Sequence, residues 1–263
     1  MPNVLLLRAP GTNCDKETAF AFQKAGADTI DIHHINRLLE SPKELDRYQI
    51  LCIPGGFSFG DDIAAGKIFA SKIRNQLGSV LFDFCNAGKL ILGICNGFQV
   101  LLKTGLLLPE DGQGLPATLT WNNSATYTDR WVHLRTDNNG RNEDGKNQHC
   151  VFLRGIKEMY LPIAHAEGRF VPRNKTVLET MEQKRQTALC YETADNPNGS
   201  TADIAGVCDS TGRIFGLMPH PERFIEPFQH PHWTRLYSSG DITKNNISGD
   251  GLKVFQNAVE YFN

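Results

Sequence analysis

The sequence predicts an α/β fold with an open, mostly parallel central sheet flanked by helices and a few additional antiparallel strands. Short apolar runs alternate with stretches of helical spacing in the first half of the chain, which is the pattern of successive βαβ units. Two of these runs end in glycine-containing turns, and the carboxyl ends of parallel strands are where such sheets bind ligands. Further apolar runs follow in the second half, and we expect some of them to pair antiparallel.

Composition narrows the class of protein. The 263 residues include 40% hydrophobic and 21% charged residues, so we expect one large domain over residues 1–263 with a sizeable core. A formal net charge of −2 without a long basic run argues against nucleic acid as a partner. No apolar stretch is long enough, at about 18 residues, for a membrane span.

The seven cysteines are an odd number and have no C-x-x-C spacing. Neither a disulfide framework nor a zinc site is therefore expected, and a cytoplasmic, reducing location is the natural one. Paired histidines at His33-His34 and His230-Pro-His232 lack a nearby cysteine or carboxylate pattern, so we expect no metal site there.

The chain before Leu115 carries four predicted strands, and the chain from Leu115 onward carries seven segments of strand character. The former are Val4–Leu7, Thr29–His33, Ile50–Ile53 and Leu90–Leu92; the latter are Ala117–Thr120, Arg130–Arg135, Met159–His165, Thr176–Glu179, Ala188–Tyr191, Ile204–Cys208 and Arg213–Met218. Helices are predicted over Lys16–Lys24, from about Ile63, and over Lys72–Ala87, Asn96–Thr104 and Gly251–Phe262, whereas Pro42–Tyr48 is a linker or a short helix. The polar run 136–148 is interpreted as a surface insertion, and 195–201 and 238–251 as loops.

The run from Leu90 to Gln99 combines an apolar strand, a turn at Cys95 and a helix. Gly93 and Gly97 flank Cys95 at two residues on either side, which is the nucleophile-elbow pattern with cysteine in place of serine. The N–H groups at the start of the helix favour a thiolate and can bind an oxyanion. The alternative is a buried structural cysteine, but the paired glycines favour the nucleophile.

Gly55 and Gly56 follow the strand Ile50–Ile53 at the same edge of the predicted sheet as Cys95. Two glycines there can present backbone N–H groups to an oxyanion without obstruction by side chains. Taken alone, the pair is weak evidence and is more typical of a plain tight turn. Together with an elbow cysteine, the oxyanion hole becomes the better interpretation.

A histidine and a carboxylate follow the strand that ends near Met218. Pro219 and Pro221 disfavour helical geometry, so we expect an extended segment in which His220 and Glu222 project from one side. A carboxylate beside an imidazole fixes its tautomer and stabilises its charge, as in a catalytic triad. The alternative is a proline-stiffened loop with a solvated histidine and glutamate.

Together, Gly93-x-Cys95-x-Gly97-x-Gln99, the upstream Gly-Gly turn and the late His-Pro-Glu resemble the class I, triad-type glutamine amidotransferases. Further strings resemble, more narrowly, the glutaminase-subunit family of phosphoribosylformylglycinamidine synthase: Pro10-Gly-Thr-Asn-Cys-Asp15, Pro54-Gly-Gly-Phe-Ser-Phe-Gly-Asp61, His165-Ala-Glu-Gly-Arg169, Asn196-Pro-Asn-Gly-Ser200 and Met218-Pro-His-Pro-Glu-Arg223. The match runs from near the N-terminus to Arg223. The stretches 136–148 and 227–250 are longer than a minimal member needs, and their roles stay open.

The resemblance implies a catalytic triad of Cys95, His220 and Glu222. Cys95 would attack the side-chain amide of L-glutamine, His220 would transfer protons, and Glu222 would orient His220. An oxyanion hole and glutamine-binding set would comprise Gly55, Gly56, Asn96, Gln99 and His165, although Gln99 is equally a plain helix residue and His165 part of a plain surface loop. No metal is implied.

The resemblance also implies partners. Ammonia would pass to a synthetase subunit, which would use ATP and Mg²⁺ to convert formylglycinamide ribonucleotide to formylglycinamidine ribonucleotide in purine biosynthesis, and a small accessory subunit would belong to the complex. No cofactor is expected in this chain, which has no Walker-type loop. We expect low glutaminase activity without the partner. Open alternatives are a glutamine amidotransferase serving another acceptor, a stress-type α/β hydrolase with an elbow cysteine, and a non-catalytic binding subunit.

Overall fold

A nine-stranded mixed sheet forms the centre of the computed structural model, which describes residues 1–136, 149–240 and 248–263. The strands of the described residues are β1 Val4–Arg8, β2 Ile30–His34, β3 Ile50–Ile53, β4 Leu90–Ile94, β5 Ala117–Thr120, β6 Thr128–Thr136, β7 Glu158–His165, β8 Arg169–Pro172, β9 Thr187–Tyr191, β10 Ile204–Cys208 and β11 Ile214–Leu217. The sheet order is β2-β1-β3-β4-β11-β10-β9-β6-β7, and β5 pairs with β8 in a separate two-stranded sheet.

Parallel pairing joins β2, β1, β3, β4 and β11, and antiparallel pairing joins the strands from β11 to β7. This arrangement confirms the predicted fold class. Residues of β3, β4 and β11 are buried along their whole length, because helices cover these central strands and apolar side chains fill both faces. The central parallel strands are therefore a rigid base for the turns that follow them.

The helices of the described residues are α1 Asp15–Lys24, α2 Ile35–Glu40, α3 Lys67–Asn86, α4 Asn96–Thr104, α5 Lys175–Gln183, α6 Trp233–Ser239 and α7 Leu252–Glu260. The α1 and α7 helices pack together, with the rings of Phe22 and Phe255 4.9 Å apart, and α3 packs on α4. In the sheet, β2 lies on one side of β1, whereas β4 lies on the opposite side of β3. Because the connections between parallel strands are right-handed, α1 and α3 lie on opposite faces of the sheet. None of these helices is long and apolar enough to cross a membrane.

One predicted strand is wrong. Thr176–Glu179 lies inside α5, whose first turn is capped by the Asn174 side chain accepting a hydrogen bond from the Val177 N–H at 2.9 Å. The two apolar residues in this segment suggested a strand, but Met181 follows at helical spacing and is buried with the same face. The cap and the buried helical face together decide for the helix.

Other differences concern elements that the sequence did not reveal or placed imprecisely. Neither α2 nor β8 was predicted. Helix α6 was not predicted either, and its last two residues fall in the stretch 238–251 that was interpreted as a loop. The helix expected from about Ile63 begins at Lys67, because Gly66 immediately before it has φ 71°. Residues 137–148 and 241–247 of the two unusual stretches lie outside the described residues. That residues 1–263 form one domain stays a prediction.

The topology brings four turns to one edge of the sheet. The strand order reverses between β1 and β3, which is the position where open α/β sheets form a crevice beyond their carboxyl ends. The turns after β1 and β3 meet there through an antiparallel bridge between Thr12 and Gly56. The turns after the neighbouring parallel strands β4 and β11 carry Cys95 and His220 to the same edge.

Candidate active site

Cys95 occupies a sharp turn between β4 and α4, as the sequence predicts. Its backbone has φ 51° and ψ −104°, a conformation that is strained for any residue except glycine. Its N–H donates to the carbonyl oxygen of Leu217 at 2.8 Å, and this bond anchors the turn to β11. The side chain lies at the N-terminus of α4, where backbone N–H groups and the helix dipole favour negative charge.

The two flanking glycines are required by the packing around this turn. A Cβ at Gly97 would lie 1.9 Å from the carbonyl oxygen of Ile53 in β3. A Cβ at Gly93 would lie 2.6 Å from the carbonyl oxygen of Gly97. Strand β4, helix α4 and strand β3 therefore approach one another more closely than any other residue type allows, and this approach holds Cys95 out of the sheet.

His220 and Glu222 form a buried pair beside the cysteine turn. The Nδ1 atom of His220 lies 2.7 Å from Oε1 of Glu222, and both side chains are almost completely buried. The His220 N–H donates to the carbonyl oxygen of Pro162 at 2.8 Å, which fixes the backbone below the ring. Because Glu222 accepts from Nδ1, the tautomer that this contact favours leaves Nε2 as the proton-accepting nitrogen.

The expected contact between these two residues is present, but the predicted backbone is wrong for the second of them. Pro221–Arg223 forms a single turn of 3₁₀-helix, and His220 before it has φ −104° and ψ 88°. Proline is well suited to the first position of such a turn, because its fixed φ is helical and it needs no N–H partner there. Glu222 therefore reaches the ring across a turn and not by alternation along a strand.

Electrostatics favour the protonated form of His220. Burial opposes the charge, but the Glu222 carboxylate and then the Cys95 thiolate stabilise an imidazolium, so the pKa of His220 lies well above its ordinary value. The Nε2 atom is buried and makes no hydrogen bond within residues 1–136, 149–240 and 248–263. This nitrogen is therefore free to exchange a proton with a bound substrate.

A second thiol, Cys14, lies beside this pair, and sequence reasoning missed it. Its Sγ accepts a hydrogen bond from Nη2 of Arg223 at 3.3 Å, across 209 positions of the chain. Cys14, His220 and Glu222 present possible metal-ligand atoms within 4.8 Å of one another. His220 and Glu222 are already hydrogen-bonded to each other at 2.7 Å, so we interpret the three side chains as a group that holds the imidazole ring in place. The absence of a metal site stays a prediction.

The Gly55-Gly56 turn packs directly against the histidine. A Cβ at Gly55 would lie 2.9 Å from Cε1 of His220, and a Cβ at Gly56, whose φ is 142°, would lie 2.7 Å from the backbone of the loop after β1. The N–H groups of Asn13 and Cys14 both donate to the Gly55 carbonyl oxygen, at 3.3 and 3.2 Å. The loop after β1 thus holds the glycine turn at the active edge, although its role as an oxyanion hole stays a prediction.

Asn96 and Gln99 lie on the first turn of α4 and are joined to each other. The Asn96 Nδ2 donates to Gln99 Oε1 at 2.9 Å, and Gln99 Nε2 donates to the carbonyl oxygen of Glu167 at 2.7 Å. Both side chains are buried. In this structure the Gln99 amide is therefore used within the protein, and its predicted contact with glutamine stays untested.

His165 is buried at the end of β7 and contacts Asn122, a residue that the sequence did not single out. The His165 Nδ1 lies 3.1 Å from Asn122 Oδ1, and the Asn122 Nδ2 donates to the His165 carbonyl oxygen at 2.9 Å. Burial, and then the positive charge of His220, lower the pKa of His165 to about 4, so its ring is neutral at physiological pH. These contacts fix the ring, and its predicted part in glutamine binding stays a prediction.

An aromatic pair lies beside the site and was also missed. The rings of Phe57 and Tyr127 are 6.4 Å apart and each is about half exposed, at 45% and 51%. Burial raises the pKa of Tyr127, and the charge of a Cys95 thiolate raises it further. Their scattered positions in the sequence gave no periodic signal for this pairing.

The remaining thiols differ in environment from Cys95. None of the seven cysteines, all of which lie within the described residues, forms a disulfide bond. Burial raises the pKa of Cys52 well above its ordinary value and that of Cys85 to about 12, so both are protonated at neutral pH. An alkylating reagent should therefore distinguish these core thiols from a thiol that is paired with an imidazolium.

Comparison with known proteins identifies the family. A family profile described as a CobB/CobQ-like glutamine amidotransferase domain matches residues 1–262. A Methanococcus maripaludis protein named phosphoribosylformylglycinamidine synthase subunit PurQ is 45% identical, with 100% of this chain and 98% of the relative covered. A Dehalococcoides mccartyi protein of the same name is 42% identical, with 98% of this chain and 96% of the relative covered.

Solved structures agree with these relatives. The structure of PurLQS from Thermotoga maritima matches with a TM-score of 0.72 at 30% identity, and the match covers 100% of this chain and 99% of that chain. A glutamine amidotransferase from Thermotoga maritima matches with a TM-score of 0.52 at 15% identity, which shows a shared fold alone. The chain therefore belongs to the CobB/CobQ-like glutamine amidotransferase family and, within it, to the PurQ subunits of phosphoribosylformylglycinamidine synthase.

Proposed function

We propose that this chain hydrolyses L-glutamine to glutamate and ammonia as the glutaminase subunit of a phosphoribosylformylglycinamidine synthase. One observation carries the proposal: the strained Cys95 turn shares an edge of the sheet with the buried His220–Glu222 pair and the Gly55-Gly56 turn. This arrangement supplies a nucleophile, a proton carrier with its orienting carboxylate, and backbone donors for an oxyanion. Relatives that bear the PurQ name over their full length support the assignment of the acceptor reaction.

The first half of the reaction forms a thioester. The Cys95 thiolate attacks the side-chain amide carbon of glutamine, and the carbonyl π electrons move to the oxygen. The backbone N–H groups of Gly56 and Asn96 hold this oxyanion, and each such donor contributes about 3–4 kcal/mol in comparable sites. His220 then gives its Nε2 proton to the departing nitrogen, the C–N bond breaks, and ammonia leaves.

The second half regenerates the enzyme. Neutral His220 takes a proton from water, and the resulting hydroxide attacks the thioester carbon. The same backbone donors hold the second oxyanion, which collapses with release of glutamate and the Cys95 thiolate. Glu222 stays ionised throughout and stabilises the imidazolium each time it forms.

The ammonia is used on a separate polypeptide. We place ATP and Mg²⁺ on a synthetase subunit that amidates formylglycinamide ribonucleotide, since this sequence has no phosphate-binding loop of Walker type. A small accessory subunit completes the proposed complex, and the match to a structure solved as PurLQS supports an assembly of this kind. Glutaminase activity is expected to be low without the synthetase subunit, because free ammonia has no acceptor on this chain.

Glutamate release from glutamine tests the proposal. The purified chain is assayed alone and then with a phosphoribosylformylglycinamidine synthase synthetase subunit, its accessory subunit, ATP, Mg²⁺ and formylglycinamide ribonucleotide, beside a Cys95→Ala control. We expect release that rises with the partner and disappears in the control. Equal release by the Cys95→Ala variant would refute the assignment of the nucleophile, and no stimulation by the partner would refute the assignment of the complex.

A further inference from the structure

The two halves of the proposed oxyanion hole come from different elements of the fold. The Asn96 N–H belongs to the first turn of α4, whereas Gly56 belongs to the loop that follows β3. An oxyanion hole stabilises charge only when its donors are held at a fixed spacing before the reaction. Some contact must therefore hold the loop 57–66 against α4.

The side chain of Asn96 makes this contact. Its Oδ1 accepts a hydrogen bond from the Ser58 N–H at 3.2 Å, two residues beyond Gly56. Its Nδ2 donates to Asp61 Oδ1 at 3.2 Å and to Gln99 Oε1 at 2.9 Å. Asn96 and Ser58 are 2% and 1% exposed, so water does not compete for these bonds.

The loop needs such a restraint because its backbone is strained. Phe59, Gly60 and Asp61 have consecutive positive φ values of 55°, 73° and 52°. Two of these residues are not glycine, and an isolated chain would leave this conformation. The Asp61 carboxylate accepts from both the Asn96 amide and the Gly66 N–H, at 3.2 and 3.0 Å, and so ties the last residue of the strained segment to α4 and to the start of α3.

We infer that the Asn96 carboxamide is a positioning residue that fixes the spacing of the two oxyanion donors, with Asp61 as its partner. This inference rests on the proposed glutaminase function. Asparagine is the residue that the contacts require, because it supplies an acceptor to Ser58 and donors to Asp61 and Gln99 at once. Aspartate at position 96 would have the same size but would place two carboxylates together and supply no donor.

This geometry allows an exchange test. In Asn96→Asp, the Ser58 bond is kept and the Asp61 bond becomes a repulsion. In the double variant Asn96→Asp with Asp61→Asn, the amide and the carboxylate change places, so the bond between positions 61 and 96 is restored with its direction reversed. The bond from the Gly66 N–H is weakened, because one oxygen, Asp61 Oδ1, accepts both bonds in this structure, and the donor to Gln99 stays missing. If Asn96 served only the stability of the fold, the double variant would not selectively recover affinity for a ligand that forms an oxyanion.

Glutamate γ-semialdehyde is used to measure how well the oxyanion hole binds a negatively charged oxygen. The Cys95 thiolate adds to the aldehyde carbon, the carbonyl π pair moves to the oxygen, and no group leaves, so the product resembles the tetrahedral intermediate. Its affinity is measured for the full chain in complex with the synthetase subunit. Glutamine affinity is measured in parallel in a Cys95→Ala background, where no oxyanion forms.

For Asn96→Asp we expect kcat and semialdehyde affinity to fall together by at least about tenfold, with glutamine affinity within about twofold of its starting value. The double variant should recover part of both losses, because it restores the bond between positions 61 and 96, and the exposed-site control Asn75→Asp should change neither. Unfolding curves confirm that each variant is folded. Unchanged semialdehyde affinity in Asn96→Asp, or no recovery in the folded double variant, would overturn the inference.

The semialdehyde measurement needs no turnover, so it tests the inference even if the complex releases no glutamate. Absence of glutamate release would refute the proposed function separately.

Discussion

Replacement of Glu222 by glutamine tests whether the buried carboxylate sustains the charge of His220. The substitution keeps the volume of the side chain and removes its charge. Burial remains and still opposes the imidazolium, so the pKa of His220 should fall from its raised value toward or below the ordinary one. At neutral pH the imidazolium, and with it the ion pair with Cys95, should be depleted.

The size of the effect follows from the geometry of the pair. A net charge-assisted hydrogen bond is worth about 1.5–3 kcal/mol, and opposite charges about 4 Å apart at an effective dielectric constant of 20 interact by about 4 kcal/mol. The 2.7 Å contact between two almost fully buried groups belongs near the upper end of this range. We therefore expect kcat to fall by about 10²–10³-fold, and further if the glutamine amide donates to Nδ1 and inverts the tautomer.

Two assays measure this change. Glutamate release by the complex gives kcat, and alkylation of Cys95 by iodoacetamide as a function of pH reports the thiolate. Because the imidazolium supports the thiolate, the rise of alkylation with pH should move to higher pH in Glu222→Gln. Glu260→Gln is the matched control, since Glu260 forms an exposed pair with Lys253 at 3.1 Å. A kcat within about threefold of the original, with an unmoved alkylation profile, would refute the reasoning.

Two further predictions follow from packing and burial. Gly97→Ala places a Cβ 1.9 Å from the Ile53 carbonyl oxygen, so we expect a loss of about 1–3 kcal/mol in the free energy of unfolding by denaturant together with a loss of glutaminase activity. A variant with unchanged stability and activity would show that the turn tolerates the extra atom. Burial lowers the pKa of His165 to about 4, so its ring should bind a proton only as the pH falls toward 4, measured by NMR titration of the histidine rings. A midpoint near 6.5 would contradict the buried placement of this ring.

Local patterns in the sequence were enough to predict the parts of the site that depend on neighbours in the chain. The turn at Cys95 follows from Gly93 and Gly97, because the close approach of strand and helix requires those residues at that spacing. The contact of His220 with Glu222 was also predictable, since the two are separated by one residue. The backbone conformation that makes this contact was not predictable, because an extended segment and a 3₁₀ turn can both bring residues at positions i and i+2 together.

The α5 helix shows where local patterns fail. Val177 and Leu178 suggested a strand, yet the Asn174 cap and the burial of Met181 place them in a helix. Intrinsic preferences of single residues differ by less than about 1 kcal/mol, and a cap together with a buried face exceeds that difference. Whether this segment forms a helix or a strand is therefore decided by the surface against which it packs.

The sequence by itself determined the fold class, the nucleophile turn and the residues proposed for chemistry, because each is encoded in a short string with its own steric requirement. Only the tertiary structure decided which distant residues surround them. Arg223 reaches Cys14 across 209 positions, because the strand order brings the turns after β1 and β11 to one edge of the sheet. Asn122 meets His165 across 43 positions, because β5 just before Asn122 pairs with β8 just after His165. The Asn96 network likewise depends on the loop 57–66, in which Ser58 lies 38 positions before Asn96. Such contacts depend on how buried surfaces pack in three dimensions, and no local pattern records that packing.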